Sequence, residues 1–105
     1  MQVRVLVVED DPGIAQALVR GLTADGFAVD HADDGTEGLW LAQTHPYSAI
    51  ILDLMLPGTN GWQVCAALRS EGSTTPSMML TAKDGLKVAY SLGSQEITAR
   101  DKDEA

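Results

Sequence analysis

Apolar residues in this chain fall into short blocks, each closed by a polar or glycine-containing break. "VRVLVV" (residues 3–8) is a β-branched run that stops at "EDD", and such continuity predicts a strand covered on both faces, as in a parallel sheet. Asp11-Pro12 then opens a helix, with aspartate as the cap and proline in the first turn. Ile14, Leu18 and Leu22 recur every four residues, and Ala15 and Val19 widen the stripe. "ADGF" ends this helix, with Gly26 as the left-handed cap.

The alternation continues. "FAVDHA" (27–32) reads as a second strand, and "DGTEGLWLAQTH" (34–45) as a second helix with Leu39 and Ala42 inward. "YSAIILD" (47–53) is the clearest strand and looks buried throughout. "NGWQVCAALRSEG" (60–72) is a third helix carrying Trp62, Cys65 and Leu68 at helical spacing. Pro76 introduces "SMMLT", a fourth strand ending at Thr81. Strands alternating with helices across short connections predict an α/β domain with parallel strands and right-handed crossovers. Beyond Thr81 the pattern weakens: "KDGLKVAYSLG" (83–93) predicts a helix, and 95–99 a fifth strand.

Composition adjusts this picture only in part. A length of 105 residues with 45% hydrophobic content predicts a single domain with a real core, built mainly from aliphatic residues because aromatics make up 5%. The formal charge of −8 argues against the domain itself gripping a nucleic-acid backbone. A single cysteine, Cys65, excludes an internal disulfide and a cysteine-based zinc cluster, and its place in an apolar helical pattern makes it a small core residue. The opening "MQVRVLVVEDD" is too short and too soon acidic for a signal peptide, and no stretch approaches the roughly 20 apolar residues of a membrane span, so we expect a cytoplasmic protein.

The position of the acids matters more than their number. In an open parallel sheet, ligands bind beyond the carboxyl ends of strands where the winding reverses. The first strand ends at Glu9-Asp10, the third at Asp53 and the fourth at Thr81. Taken singly, Glu9, Asp10 and Asp11 are helix-start acids, Asp53 begins a turn and Thr81 is an ordinary strand end. Together they place three carboxylates and a hydroxyl on one sheet edge. Carboxylates that close stay ionised only beside a cation, and hard oxygen donors without cysteine or a suitably placed histidine point to Mg²⁺.

"VLVVEDD", "AIILDLMLPGTNGW" and "MMLTAKDG", in this order and spacing, resemble the receiver domain of bacterial two-component response regulators, most closely the OmpR/PhoB-type transcription factors. The resemblance covers residues 1–85, with 86–105 a divergent tail, and takes 1–105 as a single receiver domain. It implies a flavodoxin-like, doubly wound parallel sheet of order 2-1-3-4-5, with strand five and helix five doubtful or missing. It also implies that Asp53 is the phosphoacceptor for a partner histidine kinase. Glu9, Asp10, Asp53 and the backbone carbonyl of Met55 would hold Mg²⁺. Thr81 is the switch hydroxyl, the Ala82 amide also meets the phosphoryl group, and Pro57, Gly58 and Gly61 shape the adjoining loop and helix start. The acyl phosphate would add about −1.5 to −2 charge as a local switch.

The family's strand five ends in an aromatic and a Lys-Pro pair, and this sequence has no Lys-Pro. Aligning "LGSQEITARD" with that segment puts Arg100 at the lysine and Ile97 at the aromatic, and Lys102 is a second stand-in. Arginine's planar fork needs a different phosphate geometry from lysine's compact ammonium. A missing last strand and helix would bare apolar surface on the fourth strand and first helix, so a homodimer or a domain-exchanged oligomer is expected. Partners implied are therefore a sensor histidine kinase, a second copy, and DNA only through an effector domain outside these residues. A competing reading is a switch-impaired receiver that works through its surfaces without phosphorylation. A third, a Mg²⁺-dependent phosphohydrolase, would want an acid two residues after the nucleophile, where Met55 stands.

Overall fold

The computed structural model describes residues 3–81, 87–92 and 95–98. Strands and helices alternate as β1 (Arg4–Val8), α1 (Pro12–Ala24), β2 (Ala28–Ala32), α2 (Gly35–Thr44), β3 (Ala49–Asp53), α3 (Gly61–Ser70) and β4 (Ser77–Thr81). Two further strands follow, β5 (Lys87–Leu92) and β6 (Gln95–Thr98). The sheet order is β2-β1-β3-β4-β5-β6, and β1 to β4 are mutually parallel. This is the doubly wound arrangement expected, with the reversal of winding at β1 and β3.

Local chemistry explains the element ends. The Asp11 side chain accepts the Gly13 and Ile14 backbone N–H groups at 2.9 and 3.1 Å, capping α1, and Pro12 enters without an amide to satisfy. Gly26, at φ 97°, leaves α1 as the left-handed residue the sequence predicts. Asn60 and Gln63 form a reciprocal capping box at the start of α3.

The core lies between the sheet and the helices α2 and α3. Leu6, Val8, Ile50, Leu52 and Met79 project from the strands to meet Val64 and Leu68, with Leu39 and Ala42 of α2 packed at its margin. Buried α3 residues are Gly61, Val64, Cys65 and Leu68, an i, i+3, i+4, i+7 face. Trp62 lies outside that face and is 43% exposed, so it is not the inward residue its spacing with Cys65 and Leu68 suggests. β3 is not buried throughout either. Ile50 and Leu52 are buried, while Ala49, Ile51 and Asp53 are half-buried on the alternate face.

That second face is thinly covered. Val5 and Val7 are buried, but only Ala15 of α1 is, and Ile14 is 41% exposed. The stripe read from the sequence exists, yet it lacks a partner along its outer side among the described residues.

Two expectations beyond Thr81 are overturned. Of the helix predicted over 83–93, the described residues 87–92 form β5 instead, which pairs antiparallel with β4, Thr81 opposite Lys87 and Ser77 opposite Ser91. Val88, Tyr90 and Leu92 alternate with smaller or polar residues, a period of two with strand-favouring side chains, and this outweighs the looser helical spacing. The strand expected at 95–99 is present as β6, but it pairs antiparallel with β5 at the sheet edge rather than parallel beside β4. In the sequence, Gly93-Ser94 is a two-residue hairpin spacing that carried this signal.

Candidate functional site

β1 and β3 are direct neighbours, with Val8 opposite Leu52, so the residues that follow them emerge side by side at the carboxyl edge of the sheet. Glu9, Asp10 and Asp53 are gathered there, with one carboxylate oxygen from each lying within 4.8 Å of the others. Glu9 is buried, Asp53 half-buried and Asp10 exposed, so the cluster grades from the sheet outward to solvent.

Backbone amides orient two of the three. The Asp11 N–H donates to Glu9 Oε2 at 3.0 Å, and the Met55 N–H donates to Asp53 Oδ1 at 3.1 Å. His31, at the end of β2, approaches the Glu9 backbone oxygen through Nε2 at 2.9 Å, and the Glu9 N–H donates to the Ala32 oxygen at 3.1 Å. β2 thus fixes the main chain of Glu9 while Asp11 fixes its side chain. His31 was not legible as a site residue by type, although the β1–β2 register puts it opposite Val7, two positions before Glu9.

Gly61 explains how α3 is set so close to the acceptor strand. A Cβ there would stand 2.6 Å from the Asp53 carbonyl oxygen, which only glycine avoids. The Gly61 N–H donates to the Leu54 oxygen at 3.2 Å, so the loop leaving Asp53 is closed by the first residue of α3.

Electrostatics strain the cluster as it stands. The Glu9 carboxyl is pushed up to about 7, first by burial, then by the Asp53 carboxylate it hydrogen-bonds and by the Asp10 charge, against the lowering pull of the Asp11 amide. A proton on Glu9 or a cation among the three oxygen donors relieves the same repulsion. The donor set, all carboxylate oxygen with one open side, fits a hard divalent cation that retains water or phosphate ligands.

Of the residues singled out from sequence, the structure brings Glu9, Asp10 and Asp53 together and sets the backbone of Met55 on Asp53. Thr81 ends β4 directly after Leu80, the register partner of Asp53. Ala82, Arg100 and Lys102 lie outside the described residues. Two further neighbours had no sequence signal as site residues: the exposed side chains of Met55 and Trp62, which line a pocket shared with Asp10.

A doubly wound parallel sheet carrying an acidic cluster where its winding reverses is the flavodoxin-like architecture. Within that class, this chain belongs to the response regulator receiver domain family, whose model matches residues 5–98. It is 49% identical over 79 residues to the probable transcriptional regulatory protein SilR of Salmonella typhimurium, a match covering 75% of this chain and 35% of SilR. The chain therefore spans about a third of the length of the curated relatives it matches. Among solved structures, the receiver domain of the Francisella response regulator 1452 superposes with a TM-score of 0.75 at 34% identity, over 80% of this chain and 69% of that one. The response regulator TrrA of Thermotoga maritima, solved in complex with Mg²⁺-BeF, superposes with a TM-score of 0.74 at 33% identity, over 80% and 72% of the two chains. Receivers are signalling domains rather than classical enzymes. Among the described residues, no helix is long and apolar enough to cross a membrane.

Proposed function

We propose that residues 1–105 act as one receiver domain in which Asp53 accepts a phosphoryl group from the phosphohistidine of a sensor kinase. The observation that carries this reading is the convergence of Glu9, Asp10 and Asp53 within 4.8 Å at the ends of adjacent parallel strands. In the transfer, an Asp53 carboxylate oxygen attacks phosphorus, the phosphorus–nitrogen bond breaks, and its electron pair leaves on the imidazole. The Met55 amide on Oδ1 holds the carboxylate in one orientation for that attack. Glu9, Asp10, Asp53 and the Met55 carbonyl would hold Mg²⁺, which when bound neutralises charge on the transferring group. Thr81 supplies the switch hydroxyl and the Ala82 amide a further contact. Arg100 or Lys102 takes the place of the family's lysine. The output is transcriptional, through an effector domain outside these residues, in the cytoplasm.

The deciding experiment is incubation with Mg²⁺ and acetyl phosphate, followed by intact mass. A Mg²⁺-dependent phosphate adduct that disappears in Asp53→Asn supports the reading; no adduct on a folded protein removes it.

A second reading, a receiver whose switch is impaired and which works as an interaction module, is favoured by one observation. The outer side of β4 is paired with an antiparallel strand. Under either reading a second copy, or an exchanged segment, covers the half-exposed α1 stripe around Ile14 and the half-buried Met78 and Leu80 of β4. A single monomeric sedimentation boundary at high concentration counts against that association.

A further inference from the structure

Beside the acidic cluster is a pocket of about 520 Å³, and the side chains of Met55 and Trp62 on it have no part in the roles assigned so far. Its lining includes Asp10, Met55, Pro57, Asn60 and Trp62. Met55 is 71% exposed and Trp62 43% exposed, two of the five large apolar side chains left to solvent among the described residues. Both stand on this one pocket, and Asp10 belongs both to its wall and to the three-carboxylate cluster. The pocket therefore adjoins the acidic cluster through Asp10.

Resting on the phosphoacceptor reading above, we propose that the Trp62–Met55 pocket receives the leaving group of the phosphodonor and selects for an imidazole ring. The chemistry of the lining is specific in two ways. An N-phosphorylated imidazole protonated on its other nitrogen is a flat, cationic ring, and Trp62 offers an indole face on which such a ring can stack. Met55 is a polarisable, adaptable side chain of the kind that packs against aromatic edges. A donor without a ring gains neither contact. As Asp53 oxygen bonds to phosphorus and the phosphorus–nitrogen bond breaks, the electron pair returns to the ring. The group leaves as neutral imidazole, carrying the proton it already held. Trp62 touches the leaving group and not the reacting oxygen, so it sets donor preference.

The test compares N-phosphoimidazole with phosphoramidate, two phosphorus–nitrogen donors of which only one has a ring. Second-order rates of adduct formation at sub-saturating donor and fixed Mg²⁺ are read by intact mass. The readout is the ratio of the two rates within each protein. Trp62→Ala should lower the wild-type ratio roughly 3- to 10-fold, the range an aromatic pair contributes. Trp62→Phe should restore most of it. Trp40→Ala, at the other, more exposed tryptophan (57% exposed), should keep the wild-type ratio. An unchanged ratio in Trp62→Ala, or an equal fall in Trp40→Ala, overturns the proposal while leaving Asp53 as the acceptor. Wild-type protein that forms an adduct with neither donor overturns the acceptor reading, and this inference with it.

Discussion

The carboxylates of Glu9 and Asp53 meet at the seam between the first and third strands, and burial first, then the neighbouring Asp53 carboxylate, keeps a proton on Glu9 up to about pH 7. Glu9 titrates at about 4.5 when unburdened, so between 4.5 and about 7 the folded, metal-free protein keeps a proton that the unfolded chain has released. Folded stability from this group is therefore present at low pH and declines as pH rises through that window, the reverse of a salt-bridged carboxylate. Urea titrations of the metal-free protein should show Glu9→Gln removing a negative slope of stability between pH 5 and 7.5. Saturating Mg²⁺ should flatten the wild-type slope, because the cation replaces the proton. A wild-type slope unaffected by either change would sink the assignment of Glu9 as the strained acid.

Removing the charge at Asp53 acts on the same repulsion from the other side. Asp53→Asn should make the metal-free protein more stable, by on the order of 1 kcal/mol or less for so solvent-open a cluster, which is a few degrees in Tm. It should simultaneously weaken Mg²⁺ binding by at least about tenfold, since a charged donor is lost from the set. Calorimetric titration and thermal melts on the same samples check both signs. A variant that loses stability while binding Mg²⁺ as tightly as wild type contradicts the arrangement.

The loop that leaves Asp53 is pinned against the start of the second helix. A Cβ on Gly35 would lie 1.4 Å from the Thr59 carbonyl oxygen, and the Gly35 N–H donates to the Pro57 oxygen at 3.2 Å. Gly35→Ala must push this loop away, at a cost of about 1–3 kcal/mol. The displacement reaches Met55, whose amide holds Asp53, so adduct formation with acetyl phosphate should slow as well as Tm fall. Gly21→Ala in α1, where an added Cβ meets nothing within 4 Å, should leave adduct formation unchanged and should not lower Tm.

The residues that were readable without coordinates are those whose chemistry is local or strictly positional. Asp11, Pro12, Gly26 and Asn60 mark helix ends by the backbone groups they satisfy or the conformation they permit. Glu9, Asp10 and Asp53 follow from the single premise that parallel strands end on one edge. The remaining features depend on contacts between distant segments. Leu86, Ala89 and Leu92 fit a helix about as well as Val88, Tyr90 and Leu92 fit a strand, and the choice belongs to pairing with β4, a contact no local pattern contains. Trp62 fits the apolar spacing of Cys65 and Leu68 yet faces solvent, because Gly61, Val64, Cys65 and Leu68 already complete the inward face. His31 joins the site only through the register of β2 on β1.

An apolar stripe likewise records a helix's capacity to pack, not whether anything covers it, and two substitutions separate the cases. Leu68 on α3 is 1% exposed within the core cluster, whereas Ile14 on α1 is 41% exposed. Leu68→Ala removes buried methyl groups and leaves a cavity, so it should cost about 2–5 kcal/mol. Ile14→Ala loses little burial and gains helix propensity, so in the monomer it should cost only about 0.5 kcal/mol. The comparison also reports on association. If a second copy covers α1, the cost of Ile14→Ala should grow with protein concentration, because stability then includes an interface that the substitution thins. Urea midpoints at low and high micromolar protein distinguish the two: a concentration-independent, near-zero effect at Ile14 means the α1 stripe stays open to solvent, and a growing one means it is an interface.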